Sequence, residues 1–83
     1  MTFSPDQRYF ATLLLRGGRV ATKPAVTELD ALRFANMNIG RTPFSSKLVL
    51  SPIEENGDMV GGAYIEYSRK GDRWGGRNVR SGS

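Results

Sequence analysis

The sequence contains no cysteine and no histidine. Without cysteine the chain can form no disulfide, and it lacks a thiol nucleophile and the thiolate ligands of zinc fingers and iron–sulfur sites. Without histidine it lacks the side chain that most often acts as an acid or base near neutral pH and as a metal ligand. These two absences exclude most of the chemistry that small enzymes use. We therefore expect a protein that binds a partner and is not an enzyme, with no cofactor and no metal site.

Long hydrophobic runs are also missing. The apolar run at residues 11–15 is far shorter than the roughly 20 residues of a membrane-spanning helix. Residues 1–8 lack the apolar core of a secretory signal peptide. The chain has 83 residues, which favours one domain with a thin stability margin. The sequence predicts a single-domain cytoplasmic protein with no membrane contact.

Positive charge is what the sequence has in excess. Lysine and arginine number 12 against 8 aspartates and glutamates, which gives a net charge of +4. Most of the cations are arginines, whose planar guanidinium matches phosphate and carboxylate groups and stacks on flat rings. They are concentrated in residues 1–23 and 66–83, while residues 24–65 are mildly acidic. This layout suits contact with phosphate or with an acidic protein surface.

The first half of the chain predicts a hairpin and one helix. A short apolar strand at residues 9–15 leads into Gly17-Gly18, and a return strand follows until Pro24. The alternative is one longer strand with a glycine bulge. Thr27 begins a capping pattern, and the apolar spacing after it predicts a helix over residues 28–39 that ends at Gly40. Its predicted apolar face consists of Leu29, Ala31, Leu32, Ala35 and Ile39.

The second half of the chain predicts strands. Residues 45–51 alternate and are followed by Pro52, and a turn over residues 54–58 leads to a second strand over 59–68. A short last strand begins at Arg73. The predicted fold class is α+β, a small antiparallel sheet with one helix packed on one face, in the order strands, helix, strands. We expect one compact domain over residues 1–74 and a flexible basic tail, rich in glycine, serine and arginine, over 75–83.

The segment from residue 64 to residue 77 interleaves aromatic and basic side chains. Aromatic rings stack on bases and arginines hold phosphates, while the same residue types dominate protein interfaces. The predicted residues for binding a partner or nucleic acid are Tyr64, Tyr67, Arg69, Lys70, Arg73, Trp74 and Arg77. The structural alternative is that Tyr67 and Trp74 close the core and that the basic residues form a solvated turn. Arg16 and Arg19, beside the glycine pair, form a secondary candidate surface.

Two other clusters do not favour a site. Glu54, Glu55 and Asp58 lack the spacing of a calcium loop, and we interpret them as a solvated turn. Ser46 and Lys47 are adjacent, so on a strand they point to opposite faces and cannot act as a nucleophile–base pair.

The order of elements resembles a known group of proteins. An opening strand at residues 9–15, a capped helix at 27–39 and a strand at 47–50 precede an aromatic strand at 63–67 and the run Lys-Gly-Asp-Arg-Trp at 70–74. In layout and size the chain resembles the small anti-CRISPR proteins of phages and mobile elements, especially type I inhibitors. The resemblance implies a non-enzymatic inhibitor, in the cytoplasm of a bacterial host cell, whose partner is a CRISPR-Cas effector complex. Such an inhibitor binds the RNA-guided surveillance complex (type I Cascade) and blocks target DNA binding or nuclease recruitment.

Two other functions stay open at this point. The first is a small basic protein that binds DNA or RNA directly through the aromatic and arginine hairpin. The second is an accessory protein of a virion.

Overall fold

A five-stranded antiparallel sheet with one helix on one face forms the described part of the chain. The computed structural model describes residues 8–53 and 63–81. The sheet order is β2-β1-β3-β4-β5, and every pairing is antiparallel. The elements are β1 Arg8–Leu14, β2 Val20–Ala25, α1 Glu28–Met37, β3 Lys47–Ile53, β4 Ala63–Lys70 and β5 Arg73–Ser81. This architecture confirms the predicted α+β class.

The β1–β2 hairpin turns at the glycine pair, so the alternative of one longer strand is wrong. Gly17 and Gly18 have φ values of 75° and 77°, in the left-handed region that glycine adopts without steric cost. The backbone N–H of Leu15 donates to the carbonyl of Arg19 at 2.8 Å and closes the turn. β2 continues through Pro24, where the sequence predicted its end, because an edge strand tolerates a residue that donates no ladder hydrogen bond.

Helix α1 begins where the capping pattern predicts. The Thr27 hydroxyl oxygen accepts from the backbone N–H of Asp30 at 3.1 Å, and the Asp30 carboxylate accepts from the N–H of Val26 at 3.4 Å. The helix ends at Met37, two residues before the predicted end. There the side-chain amide of Asn38 donates to the carbonyl of Phe34 at 2.8 Å, and a short 3-10 turn, Ile39–Arg41, follows.

Small residues bring the helix close to the sheet. Ala31 and Ala35 are fully buried, and they face the side of the sheet that carries the core. The fully buried apolar side chains of the strands on that side include Leu13, Leu48, Leu50 and Ile65. The sequence predicted Leu29 on this face, but it is 58% exposed, since it lies about 200° around the helix axis from Ala31.

The C-terminal segment differs from the predicted flexible tail. Residues 73–81 form β5, which pairs with β4 from Lys70–Arg73 to Ala63–Ser81. Composition suggested a tail because Val79 is the one apolar side chain after Trp74. The edge of β4 supplies backbone hydrogen-bond partners that composition does not show. Residues 82 and 83 lie outside the described residues.

Several predicted features fall outside residues 8–53 and 63–81. They are residues 1–7, the acidic turn at 54–58 and the first part, 59–62, of the strand predicted over 59–68. β3 runs through Pro52 to Ile53, two residues past the predicted end, because Pro52 lies beyond the last β3–β4 pair, Leu50–Ile65. In the part of the chain that is described, no helix combines the length and apolar character that a bilayer crossing requires.

The close approach of α1 predicts a position-specific effect of side-chain size. Replacing Ala35 by Leu should lower the free energy of unfolding by about 1–3 kcal/mol, because the added methyl groups have no space between helix and sheet. Replacing the adjacent exposed Asn36 by Leu should change it by less than about 0.5 kcal/mol. Urea unfolding of both variants measures the difference. Equal stability of Ala35→Leu and Asn36→Leu would contradict the proposed packing of the helix.

Candidate functional site

The β4–β5 hairpin divides the seven predicted binding residues between two faces of the sheet. Successive residues of a strand point to opposite faces, and cross-strand partners share a face. The face covered by α1, here called the helix face, holds Tyr67, Arg69, Trp74 and Arg77. The opposite face, here called the open face, holds Tyr64, Lys70 and Arg73. The register pairs Arg69 with Trp74 and Lys70 with Arg73, and it shifts between Glu66 and Ser68, at the bulge.

Tyr67 and Arg77 are bound to the start of the helix. The Tyr67 hydroxyl donates a hydrogen bond to the Glu28 carboxylate, and the Arg77 guanidinium lies 3.1 Å from the other oxygen of the same carboxylate. Burial and, after it, the hydrogen bond to Glu28 raise the pKa of Tyr67 above its ordinary value. Burial, followed by the charge of Glu28, also raises the pKa of Tyr9. These contacts hold α1 over β4 and β5.

Arg69 stabilises the segment between α1 and β3 through hydrogen bonds. Its Nη1 donates to the carbonyl of Thr42 at 2.7 Å, to the Thr42 hydroxyl at 3.1 Å and to the carbonyl of Ile39 at 3.2 Å. Its Nε donates to the carbonyl of Gly71 at 2.7 Å, and its guanidinium lies 4.7 Å from the centre of the Phe44 ring. The guanidinium is thus committed to internal contacts, so Arg69 is a structural residue.

Trp74 belongs to the core. It is 9% exposed and packs in the same buried cluster as Tyr67 and Ile65. Its indole N–H is buried and has no hydrogen-bond partner within the described ranges. The structural alternative for Tyr67 and Trp74 is therefore confirmed, and neither ring is placed to stack on a ligand at the surface.

The open face carries a group of cations on β3, β4 and β5. We call this group the basic strip, and it consists of Lys47, Lys70, Arg73 and Arg80. One carboxylate, Glu66, lies among them and is 8% exposed. An oxygen of Glu66 lies 3.5 Å from the Lys47 ammonium and 3.6 Å from the Arg80 guanidinium. Two cations therefore share one buried carboxylate.

The other two cations of the basic strip lie at its far end. Lys70 and Arg73 are both exposed, and neither has an ion pair to a carboxylate in the described part of the chain. The Lys70 side chain crosses β5 at the bulge, where a Cβ on Gly76 would lie 3.4 Å from its ammonium nitrogen. Gly76 has a φ of 73°, which glycine adopts without steric cost, so it permits the bulge. Because it has no side chain, it also leaves space for the Lys70 side chain.

Two aromatic rings lie in one row across the open face. Phe10 of β1 pairs with Ser51 of β3, and Tyr64 of β4 pairs with Arg80 of β5. Ser51 and Tyr64 each lie one residue beyond the last β3–β4 pair. Both rings are partly exposed, as is Ser51 between them. Neighbouring strands are about 4.8 Å apart, so the two rings are separated by roughly 10 Å.

Sequence reasoning missed part of this surface. Lys47 was interpreted only as a strand residue, Phe10 as part of an apolar run, and Arg80 as part of the tail. The alternation of β3 and β4 indicates that Lys47 and Tyr64 can share a face. Arg80 joins this face only because β5 pairs with β4, and no pattern in the sequence predicted that pairing.

Arg16 and Arg19, the secondary candidates, are exposed at the turn between β1 and β2. The structure does not bring them together with the hairpin residues, because β1 and β2 lie on the other side of β3 from β4. No group of three or more acidic or metal-ligating side chains gathers within residues 8–53 and 63–81.

The bracing role of Arg69 predicts a stability effect. Arg69→Met keeps the alkyl chain but leaves the buried Thr42 without its guanidinium partner, which should cost about 1–3 kcal/mol. Lys70→Met, one residue away and exposed, should change the free energy of unfolding by less than about 0.5 kcal/mol. Chemical denaturation compares the two. Similar midpoints for both variants would show that Arg69 does not brace the fold.

The raised pKa of Tyr67 predicts a stability loss at alkaline pH. Above about pH 10 a tyrosine of the unfolded chain loses its proton, whereas Tyr67 in the folded protein keeps it. The unfolded state then binds fewer protons, so the free energy of unfolding falls as pH rises further. At neutral pH Tyr67→Phe should be less stable than the wild type. As the pH rises above 10, its free energy of unfolding should fall less than that of the wild type. Thermal melts over this range test it, and parallel curves for the two proteins would be the contrary result.

Comparisons of this chain with protein-family models, with curated proteins and with solved structures gave no match.

Proposed function

We propose that this protein is a non-enzymatic binding protein that holds nucleic acid against the open face of its sheet. The observation that carries this proposal is the basic strip. On β3, β4 and β5 the open face has four cations against one carboxylate, and the exposed Asp72 lies in the turn between Lys70 and Arg73, so the local excess is two positive charges. Phosphodiester backbones are the polyanions that such a surface attracts, with release of counterions.

The internal contacts of the helix face support this choice of surface. Arg69 is hydrogen-bonded within the fold, and the charge of Arg77 is balanced by Glu28, which no second cation shares among the ion pairs of the described residues. Lys70 and Arg73 have no such commitment to a carboxylate among the described residues. Arg80 and Lys47 share one carboxylate, which leaves a net positive charge between them.

The dimensions of the basic strip suit an extended backbone. Tyr64 and Arg80 form one end of the strip, and Lys70 and Arg73 form the other. Tyr64 and Lys70 are six positions apart along β4, which is a length of about 20 Å. Along the axis of duplex DNA the phosphates of each strand advance by about 3.4 Å per nucleotide, and those of an unstacked strand advance by more, so several phosphates of either ligand fall within reach of the four cations. Nucleic acid is present in the cytoplasm of a bacterial cell, where we expect this protein to act.

The salt dependence of binding tests this proposal. If each cation of the basic strip neutralises one phosphate, the logarithm of the binding constant for a single strand should fall with the logarithm of the salt concentration with a slope of about −2.8. The double variant Lys70→Gln, Arg73→Gln should reduce that slope to about −1.4. The matched control is Arg16→Gln, Arg19→Gln, which removes the same charge from the β1–β2 turn and should keep the wild-type slope. Fluorescence anisotropy of a labelled oligonucleotide over a series of salt concentrations gives all three slopes.

A change of opposite sign provides a second test. Glu66→Gln removes the carboxylate from the basic strip and should tighten binding by about two- to threefold, the value of a unit charge about 7 Å from a phosphate in water. Weaker binding by Glu66→Gln, at unchanged stability, would contradict a phosphate site on this face.

The inhibitor function that the resemblance implies stays a prediction, and it is the other outcome of the experiment. Immobilised wild-type protein is offered a purified type I surveillance complex beside the oligonucleotides. Capture of the complex without oligonucleotide binding at physiological salt would replace the present proposal by the inhibitor function.

A further inference from the structure

The aromatic row on the open face goes beyond phosphate binding. Resting on the proposed function, we infer that the nucleic acid bound here is single-stranded, with its phosphates along the basic strip and its bases turned inward onto Tyr64 and Phe10. The inference rests on the row Phe10, Ser51, Tyr64 and Arg80 across four adjacent strands.

The placement of the rings fits unpaired bases. Both rings lie on the sheet surface, Tyr64 lies beside Arg80, and small Ser51 lies between the rings. A base needs a free face to stack on a protein ring, and only an unstacked strand offers one. In a duplex the base faces are stacked on one another, so the two rings would contribute nothing.

The remaining shape of the described structure also disfavours a duplex. Reading the major groove requires an element that projects into it, commonly a helix. Helix α1 packs on the opposite face of the sheet. It has one basic residue, Arg33, and two acidic residues, Glu28 and Asp30. The open face itself is formed by strands, which present a shallow platform.

The orientation of the strand follows from the two groups of side chains. The cations Arg73 and Arg80 belong to the edge strand β5, while the rings belong to β4 and β1, nearer the middle of the sheet. A backbone that follows β5 directs its bases toward β4, where the base nearest Arg80 meets Tyr64. Phe10 lies three strands from β5, so it receives a base when the backbone then crosses the sheet along the row. A strip of about 20 Å accommodates a short segment, at the small end of the roughly 4 to 16 nucleotides that single-strand binding platforms cover.

Three ligands with the same number of phosphates per strand separate base stacking from charge. They are a labelled oligothymidylate, an abasic oligonucleotide of the same length, and a duplex with the same number of phosphates per strand. Wild-type protein should bind oligothymidylate at least tenfold tighter than the abasic strand and the duplex. Oligouridylate, used as a fourth ligand, shows whether DNA or RNA is preferred.

Two variants at one position test the ring. Tyr64→Leu should weaken binding of oligothymidylate by about fivefold to a hundredfold, because it removes one stacking platform. It should leave the abasic strand nearly unaffected. Tyr64→Phe keeps the ring and should bind oligothymidylate like the wild type. Circular dichroism melts of each variant report folding, and the wild-type comparison of ligands stands even if Tyr64→Leu is unfolded.

The two proposals fail in different ways. Equal affinity of the wild type for oligothymidylate, abasic strand and duplex, with a steep salt slope, would overturn single-strand stacking and keep the phosphate site. Absence of binding to all four ligands at physiological salt would overturn the proposed function itself, and the stacking inference with it.

Discussion

A pleated strand sends successive side chains to opposite faces, and this constraint decides what the β4–β5 hairpin can do. Residues 64 to 77 interleave aromatic and basic side chains, so the alternation divides them into two sets. Tyr67, Arg69, Trp74 and Arg77 meet the helix, where they are buried or bound. Tyr64, Lys70 and Arg73 meet no layer of the described structure. The bulge at Gly76 is part of this division, because it shifts the register and keeps Trp74 and Arg77 on the same face.

Arginine serves two purposes in this fold, and its surroundings decide which. Where carbonyls or a carboxylate face a guanidinium at hydrogen-bond distance, as for Arg69 and Arg77, the side chain stabilises the fold. Glu28 is central here, since one carboxylate near the start of α1 binds both β4 and β5. On the other side of the sheet the opposing charge is scarcer, because among the residues of β3, β4 and β5 Glu66 is the one carboxylate beside the four cations of the basic strip. The same residue type is internal on one face and available on the other.

Among the described residues, one helix over five strands leaves one side of the sheet uncovered. A small domain cannot cover both faces of a sheet with a single ten-residue helix, so the open face is a consequence of the element count. That face carries partly exposed Phe10, Val49 and Tyr64 beside its cations. A surface that combines apolar rings with uncompensated charge is suited to a ligand with both properties, and a single strand of nucleic acid has them.

Local physics in the sequence determined much of this protein. The Gly17-Gly18 turn, the Thr27 cap and the alternation of β3 specify the hairpin, the start of α1 and the α+β class, because each depends on residues a few positions apart. Only the tertiary structure decided that residues 73–81 form a strand and that Arg69 is a brace. It also joined Lys47, Glu66 and Arg80 in one ionic group. These outcomes depend on partners that are distant in sequence: the free edge of β4 orders β5, and carbonyls beyond α1 capture Arg69. Composition cannot show them, since the same arginines and glycines would also suit a solvated tail.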